Sequence, residues 1–121
     1  MRHILIIDDE EQIREMLIEM VALDGYEAKG AENGEVAQEL LEQTPFDLVI
    51  TDLIMPKKEG FETIREIKEK YVSLPIIAMS GGGQLNPDTY VPTAKSFGAD
   101  YVFQKPIRRQ QLIEAIKTLI G

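Results

Sequence analysis

Residues 48–52 read Leu48-Val49-Ile50-Thr51-Asp52, a short strand-forming run that ends on a carboxylate. The same pattern occurs three more times. Ile4-Leu5-Ile6-Ile7 leads into Asp8-Asp9, Ile76-Ile77-Ala78-Met79 into Ser80, and Tyr101-Val102-Phe103-Gln104 into Lys105. Continuous apolar runs of this length are what strands look like when both faces are buried, the mark of a parallel sheet. In an open parallel sheet the carboxyl ends of all strands share one edge, and ligands bind there. Acids, a hydroxyl and a lysine far apart in the chain should therefore converge on one site.

Amphipathic helices fill the gaps. Ile13, Met16, Leu17, Met20 and Val21 repeat at helical spacing until Asp24-Gly25 stops them. Tyr26 to Gly30 alternates weakly, which suits a strand at a sheet edge. Asn33 caps a second helix that turns Val36, Ala37, Leu40 and Leu41 inward. A third runs from about Gly60 to Tyr71 on Phe61, Ile64 and Ile67, and the last buries Leu112, Ile113, Ile116, Leu119 and Ile120. The fourth is the irregular one. Asn86 can cap it with Pro87 at its first position, but Pro92 then falls inside, losing a hydrogen bond and clashing with the preceding turn. This helix is expected to be short, beginning near Pro92, or kinked there. The order is β-α five times over, which implies right-handed crossovers and helices on both faces of a parallel sheet.

The bulk numbers narrow the function. A length of 121 residues, 44% hydrophobic and 28% charged, fits one globular domain over residues 1–121. The absence of cysteine excludes disulfides, thiolate nucleophiles and Cys-ligated zinc. A net charge of -8 opposes autonomous binding to nucleic acid or to an anionic membrane. No apolar stretch is long enough to span a bilayer and no signal segment opens the chain, so a cytoplasmic protein is expected.

Asp8, Asp9 and Asp52 put three carboxylates at neighbouring strand ends, and like charges that close do not all stay ionised unless something neutralises them. Oxygen ligands without usable His or Cys favour a hard cation such as Mg²⁺. A carboxylate can attack phosphorus and form an aspartyl phosphate. Lys105 would then act as a point charge on phosphoryl oxygens, with the Ser80 hydroxyl donating to one of them. Taken singly, each residue has an ordinary explanation: a turn, a loop, a solvated charge. All four strand ends carrying matching chemistry is what the ordinary explanations do not cover.

Over its whole length the chain resembles the receiver domain of bacterial two-component response regulators. The resemblance rests on Asp8-Asp9, on Asp52-Leu53-Ile54-Met55-Pro56 followed by Gly60, on Ser80, and on Gly98-Ala99-Asp100 leading to Lys105-Pro106. It implies a flavodoxin-like doubly wound α/β fold with strand order 2-1-3-4-5. It implies that Asp52 accepts a phosphoryl group from a sensor histidine kinase or a phosphotransfer protein. Asp9 would bind Mg²⁺ directly, Asp8 mostly through water, and the backbone carbonyl of Ile54 would be a further ligand. A cis Lys105-Pro106 peptide is implied as well. The chain departs from the family at Val102, where an aromatic switch residue is usual, and in its longer stretch after Ser80, with Gly81-Gly82-Gly83 and two prolines. Output is therefore expected from residues 81–97 acting on a downstream protein target.

Other readings fare worse. No Lys-Ser or Lys-Thr follows Gly81-Gly82-Gly83 at P-loop spacing, and Asp8-Asp9-Glu10-Glu11 would repel a flavin phosphate. His3, the one histidine, lies about 15 Å from the site at roughly 3.3 Å per strand residue. An Asp-nucleophile phosphatase needs a second acid at position 54, where Ile54 stands. A receiver-shaped adaptor without phosphoryl transfer has no need of the intact Asp8, Asp9, Asp52, Ser80 and Lys105 set. The expected activity is that of a phosphorylation-controlled switch and not of an enzyme with turnover.

Overall fold

In the computed structural model, which describes residues 2–53, 60–81 and 87–121, each apolar run is a strand. These are β1 (His3–Ile7), β2 (Glu27–Ala31), β3 (Leu48–Asp52), β4 (Ile76–Gly81) and β5 (Tyr101–Lys105). Between and after them come α1 (Glu11–Ala22), α2 (Gly34–Gln43), α3 (Gly60–Lys70), α4 (Pro87–Phe97) and α5 (Arg109–Ile120). All pairings are parallel and the strand order is β2-β1-β3-β4-β5, as expected. The expected metal ligand Ile54, together with Met55, Pro56, Gly82, Gly83 and Asn86, lies outside the described residues.

The pleat sorts each apolar run into two cores. Leu5, Ile7, Val49 and Ala78 face α2, α3 and α4, meeting Ala37, Leu41, Ile64, Ile67 and Ala94. Ile4, Ile6, Leu48, Ile50, Ile77 and Met79 face α1 and α5, meeting Leu17, Val21, Leu112 and Ile116. Central β3 is buried along its whole length, whereas edge strand β2 alternates. Burying one such Ile or Leu stabilises by roughly 1.5–3 kcal/mol. That layer of apolar burial is what offsets the cost of holding ionisable groups at the strand ends.

The helix signals mostly operate as read. Asn33 Oδ1 accepts from the Val36 N–H at 2.9 Å, and Gly25, at φ 88°, ends the α1 segment. Two readings need correction. Met16 is exposed, because the inward stripe of α1 runs through Ile13, Leu17, Met20 and Val21 and leaves residue 16 on its flank. Of the two forms expected for the fourth helix, the short one beginning near Pro92 is the one overturned: the helix begins at Pro87, the first position offered for it, and carries Pro92 within it. Pro92 is exposed while Ala94 is fully buried and Val91 and Phe97 pack on the core. Tertiary burial of that face outweighs the one backbone bond that proline forfeits.

Candidate functional site

Strand register brings the sequence-predicted residues together. Asp52 closes β3 and pairs with Met79, the neighbour of Ser80 on β4, and Lys105 closes β5 opposite Gly81. Asp8 and Asp9 follow directly after β1, which pairs with β3. Carboxylate oxygens of Asp8, Asp9 and Asp52 all lie within 4.8 Å of one another. Asp8 and Asp52 are buried and Asp9 is exposed, so the cluster opens to solvent on one side.

Lys105 closes the cluster from the fifth strand. Its Nζ donates to Asp8 Oδ2 at 3.0 Å and to Asp52 Oδ2 at 3.1 Å. Burial pulls this amine towards its neutral form. The hydrogen bond to Asp8 and the charge of Asp52, followed by the charge of Asp8 and the bond to Asp52, outweigh it and hold Lys105 above the ordinary lysine value. The ammonium is therefore kept. Three carboxylates against this one ammonium leave two negative charges, which suit a divalent hard cation with oxygen ligands. The donor set fits Mg²⁺. The peptide that follows Lys105 is cis, as the resemblance implied.

The backbone around the acids is tightly held. The Asp8 N–H donates to the Ala31 carbonyl at 3.0 Å, and Asp8 Oδ1 accepts from the Glu10 N–H at 2.9 Å. Behind the third carboxylate, Thr51 Oγ1 donates to the Asp52 carbonyl at 3.0 Å and the Leu53 N–H to the Met79 carbonyl at 2.8 Å. Gly60 sits against that same peptide: its N–H donates to the Leu53 carbonyl, and a Cβ there would stand 2.1 Å from the Asp52 carbonyl oxygen. Ser80 is fully buried, and its Oγ has no hydrogen-bond partner among the described residues. An orphaned buried hydroxyl costs free energy, and this one stands at a strand end beside the acid cluster.

Sequence reasoning missed Arg14. It lies in α1, half-buried, and its Nη1 donates to the Asp8 carbonyl at 2.8 Å. Nothing in the linear sequence separates it from a solvated helix arginine. His3 is confirmed at the far end of β1, where its N–H donates to Asp47 Oδ2.

Comparison with known proteins agrees with this geometry. The model of the response regulator receiver domain family matches residues 4–117. Response regulator RR06 of Streptococcus pneumoniae is 35% identical over 118 residues, 98% of this chain and 52% of its own length. The response regulator receiver protein CpdR of Brucella abortus is 30% identical over 122 residues, 99% of this chain and 98% of its own. The chain thus spans about half the length of RR06 and nearly all of CpdR. Among solved structures, response regulator protein TrrA of Thermotoga maritima, in complex with Mg(2+)-BeF, is 35% identical with a TM-score of 0.85, covering 99% of this chain and 100% of that one. Chemotaxis protein CheY4 of Vibrio cholerae is 26% identical with a TM-score of 0.90, covering 99% of both.

Proposed function

The chain belongs to the response regulator receiver domain family, and from that premise we infer a phosphoacceptor signalling switch in which Asp52 takes the phosphoryl group. The observation that carries this reading is the convergence of Asp8, Asp9 and Asp52 within 4.8 Å, with Lys105 bonded to two of them. An Asp52 carboxylate oxygen attacks phosphorus, the bond from phosphorus to the donor nitrogen breaks, and the departing imidazole takes up a proton. Asp8, Asp9 and Asp52, with the Ile54 carbonyl, would hold Mg²⁺, which supplies charge neutralisation on the transferring group. Lys105 is a preorganised ammonium for one phosphoryl oxygen, freed from Asp52 as that carboxylate becomes an acyl phosphate. Ser80 gives its unpartnered hydroxyl to another.

The partners follow from the chemistry: a sensor histidine kinase or phosphotransfer protein upstream, and a downstream protein target. With net charge -8, direct binding to nucleic acid or to an anionic membrane is disfavoured. Among the described residues no helix is long and apolar enough to cross a membrane, which fits a cytoplasmic place of work. Residues 1–121 act as one receiver domain, and Ile54 in place of a second acid argues against turnover on external phosphoesters.

The test is incubation with Mg²⁺ and acetyl phosphate followed by intact mass. One base-labile phosphoryl group is expected on the parent chain and none on Asp52→Asn. Equal modification of Asp52→Asn would refute the assignment.

A further inference from the structure

The Asp8–Asp9 peptide sits where regular structure ends. The Asp8 N–H still bonds to β2, but α1 starts only at Glu11, and exposed Asp9 occupies a bend between the two. The carbonyl of that peptide is the one that Arg14 Nη1 holds at 2.8 Å. A guanidinium donor gives a charge-assisted bond, stronger than a neutral one. Fixing the carbonyl fixes the plane of the peptide, and with it the point from which the Asp9 side chain departs.

The stem of Arg14 reaches this carbonyl by lying over Gly30 of β2. A Cβ at Gly30 would meet both Cγ and Cδ of Arg14 at 2.8 Å and Nε at 3.1 Å. Those atoms are the middle of the side chain, not its free end, so the whole arginine would have to take another path.

We propose that Arg14 is a positioning residue for the metal-binding carboxylates, and that residue 30 is glycine so that Arg14 can reach the Asp8 carbonyl. This rests on the Mg²⁺ reading above. Two effects of Arg14 on Mg²⁺ oppose each other: its charge repels the cation, and its hydrogen bond keeps Asp9 in register with Asp8 and Asp52. Gly30→Ala separates them, because it keeps the charge and removes the bond.

The experiment is calorimetric titration of the full chain with Mg²⁺, alongside urea unfolding in chelator. Gly30→Ala should weaken Mg²⁺ binding on the order of tenfold, the low end of what loss of a ligand's supporting partner does. In an Arg14→Ala background Gly30→Ala should weaken it no further, since the clash is gone. Arg14→Lys keeps one donor and should bind more tightly than Arg14→Ala; Arg14→Ser, which like alanine lacks the Cγ and Cδ that meet residue 30, serves as the background if Arg14→Ala fails to fold. Parent-like Mg²⁺ binding by Gly30→Ala overturns the proposal, as does an undiminished loss in the Arg14→Ala background. A parent chain that binds no Mg²⁺ overturns the metal reading and this proposal together, whereas parent binding shared equally by every variant overturns the positioning role alone.

Discussion

Lys105 Nζ lies 3.0 Å from Asp8 Oδ2, joining two strand ends that stand 97 residues apart in the chain. Asp8 is fully buried, and the same ammonium also reaches Asp52. One side chain thus holds two buried carboxylates in place.

Lys105→Met should therefore destabilise the fold by about 1–3 kcal/mol in chelator, below the 3–5 of a wholly buried pair because the cluster is open on one side. Mg²⁺ should restore more stability to this variant than to the parent, and should bind it more tightly, since the competing cation is gone. Urea unfolding with and without Mg²⁺ reads both. The folded value of Lys105 is raised. Its contribution is hence complete below the unfolded value of about 10.4 and is lost as pH rises through the folded one. The parent should lose a stability increment in that alkaline window that Lys105→Met lacks.

Gly60→Ala should impair the site without changing any of its side chains. The added Cβ would stand 2.1 Å from the Asp52 carbonyl oxygen and 2.5 Å from the Leu53 Cα, and both are backbone. Overpacking against backbone costs roughly 1–3 kcal/mol or more. Phosphorylation of Asp52 should slow along with the loss of stability, as measured by intact mass against time. An unchanged rate would show that this contact does not set the position of Asp52.

Ser80→Ala should part stability from activity. Removing a buried hydroxyl that has no partner among the described residues should leave stability unchanged or raise it by up to about 1 kcal/mol. The rate of phosphoryl gain should nevertheless fall. A clear loss of stability would mean that the hydroxyl already has a structural role.

Phosphorylation should be read out through residues 81–97. Val102 is half-buried and, like Val91 and Phe97, packs against the core cluster on the α4 side of the sheet, so no large ring stands at this position to exchange places. The α4 end is instead tied to α3 by the Phe61–Phe97 ring pair, with centroids 5.8 Å apart. Hydrogen exchange with and without beryllofluoride should differ across residues 81–97. Equal protection there, with changes confined to other segments, would rule out this route.

The fold and the site residues were legible in the sequence to different depths. Asp52, Asp8, Asp9, Ser80 and Lys105 could be read because each follows a run whose burial on both faces is written in its composition. Met16 was misread because helical periodicity gives the direction of a stripe but not its width. The sequence left α4 open between a short helix beginning near Pro92 and a longer one from Pro87, because proline's local cost is visible in the sequence while the burial of Ala94 that outweighs it is not.

The sequence by itself determined the order of elements, the parallel sheet and which chemical groups stand at its carboxyl edge, since period and composition are local properties of the chain. Only the tertiary structure decided that three carboxylates meet within 4.8 Å, that Lys105 bridges two of them, and that Ser80 keeps its hydroxyl unpartnered among the described residues. It alone disclosed Arg14 on the Asp8 carbonyl and the room that Gly30 leaves for it. Hydrogen bonds and steric contacts between distant residues depend on strand register and helix placement, which arise from the packing of the whole core and have no local signature.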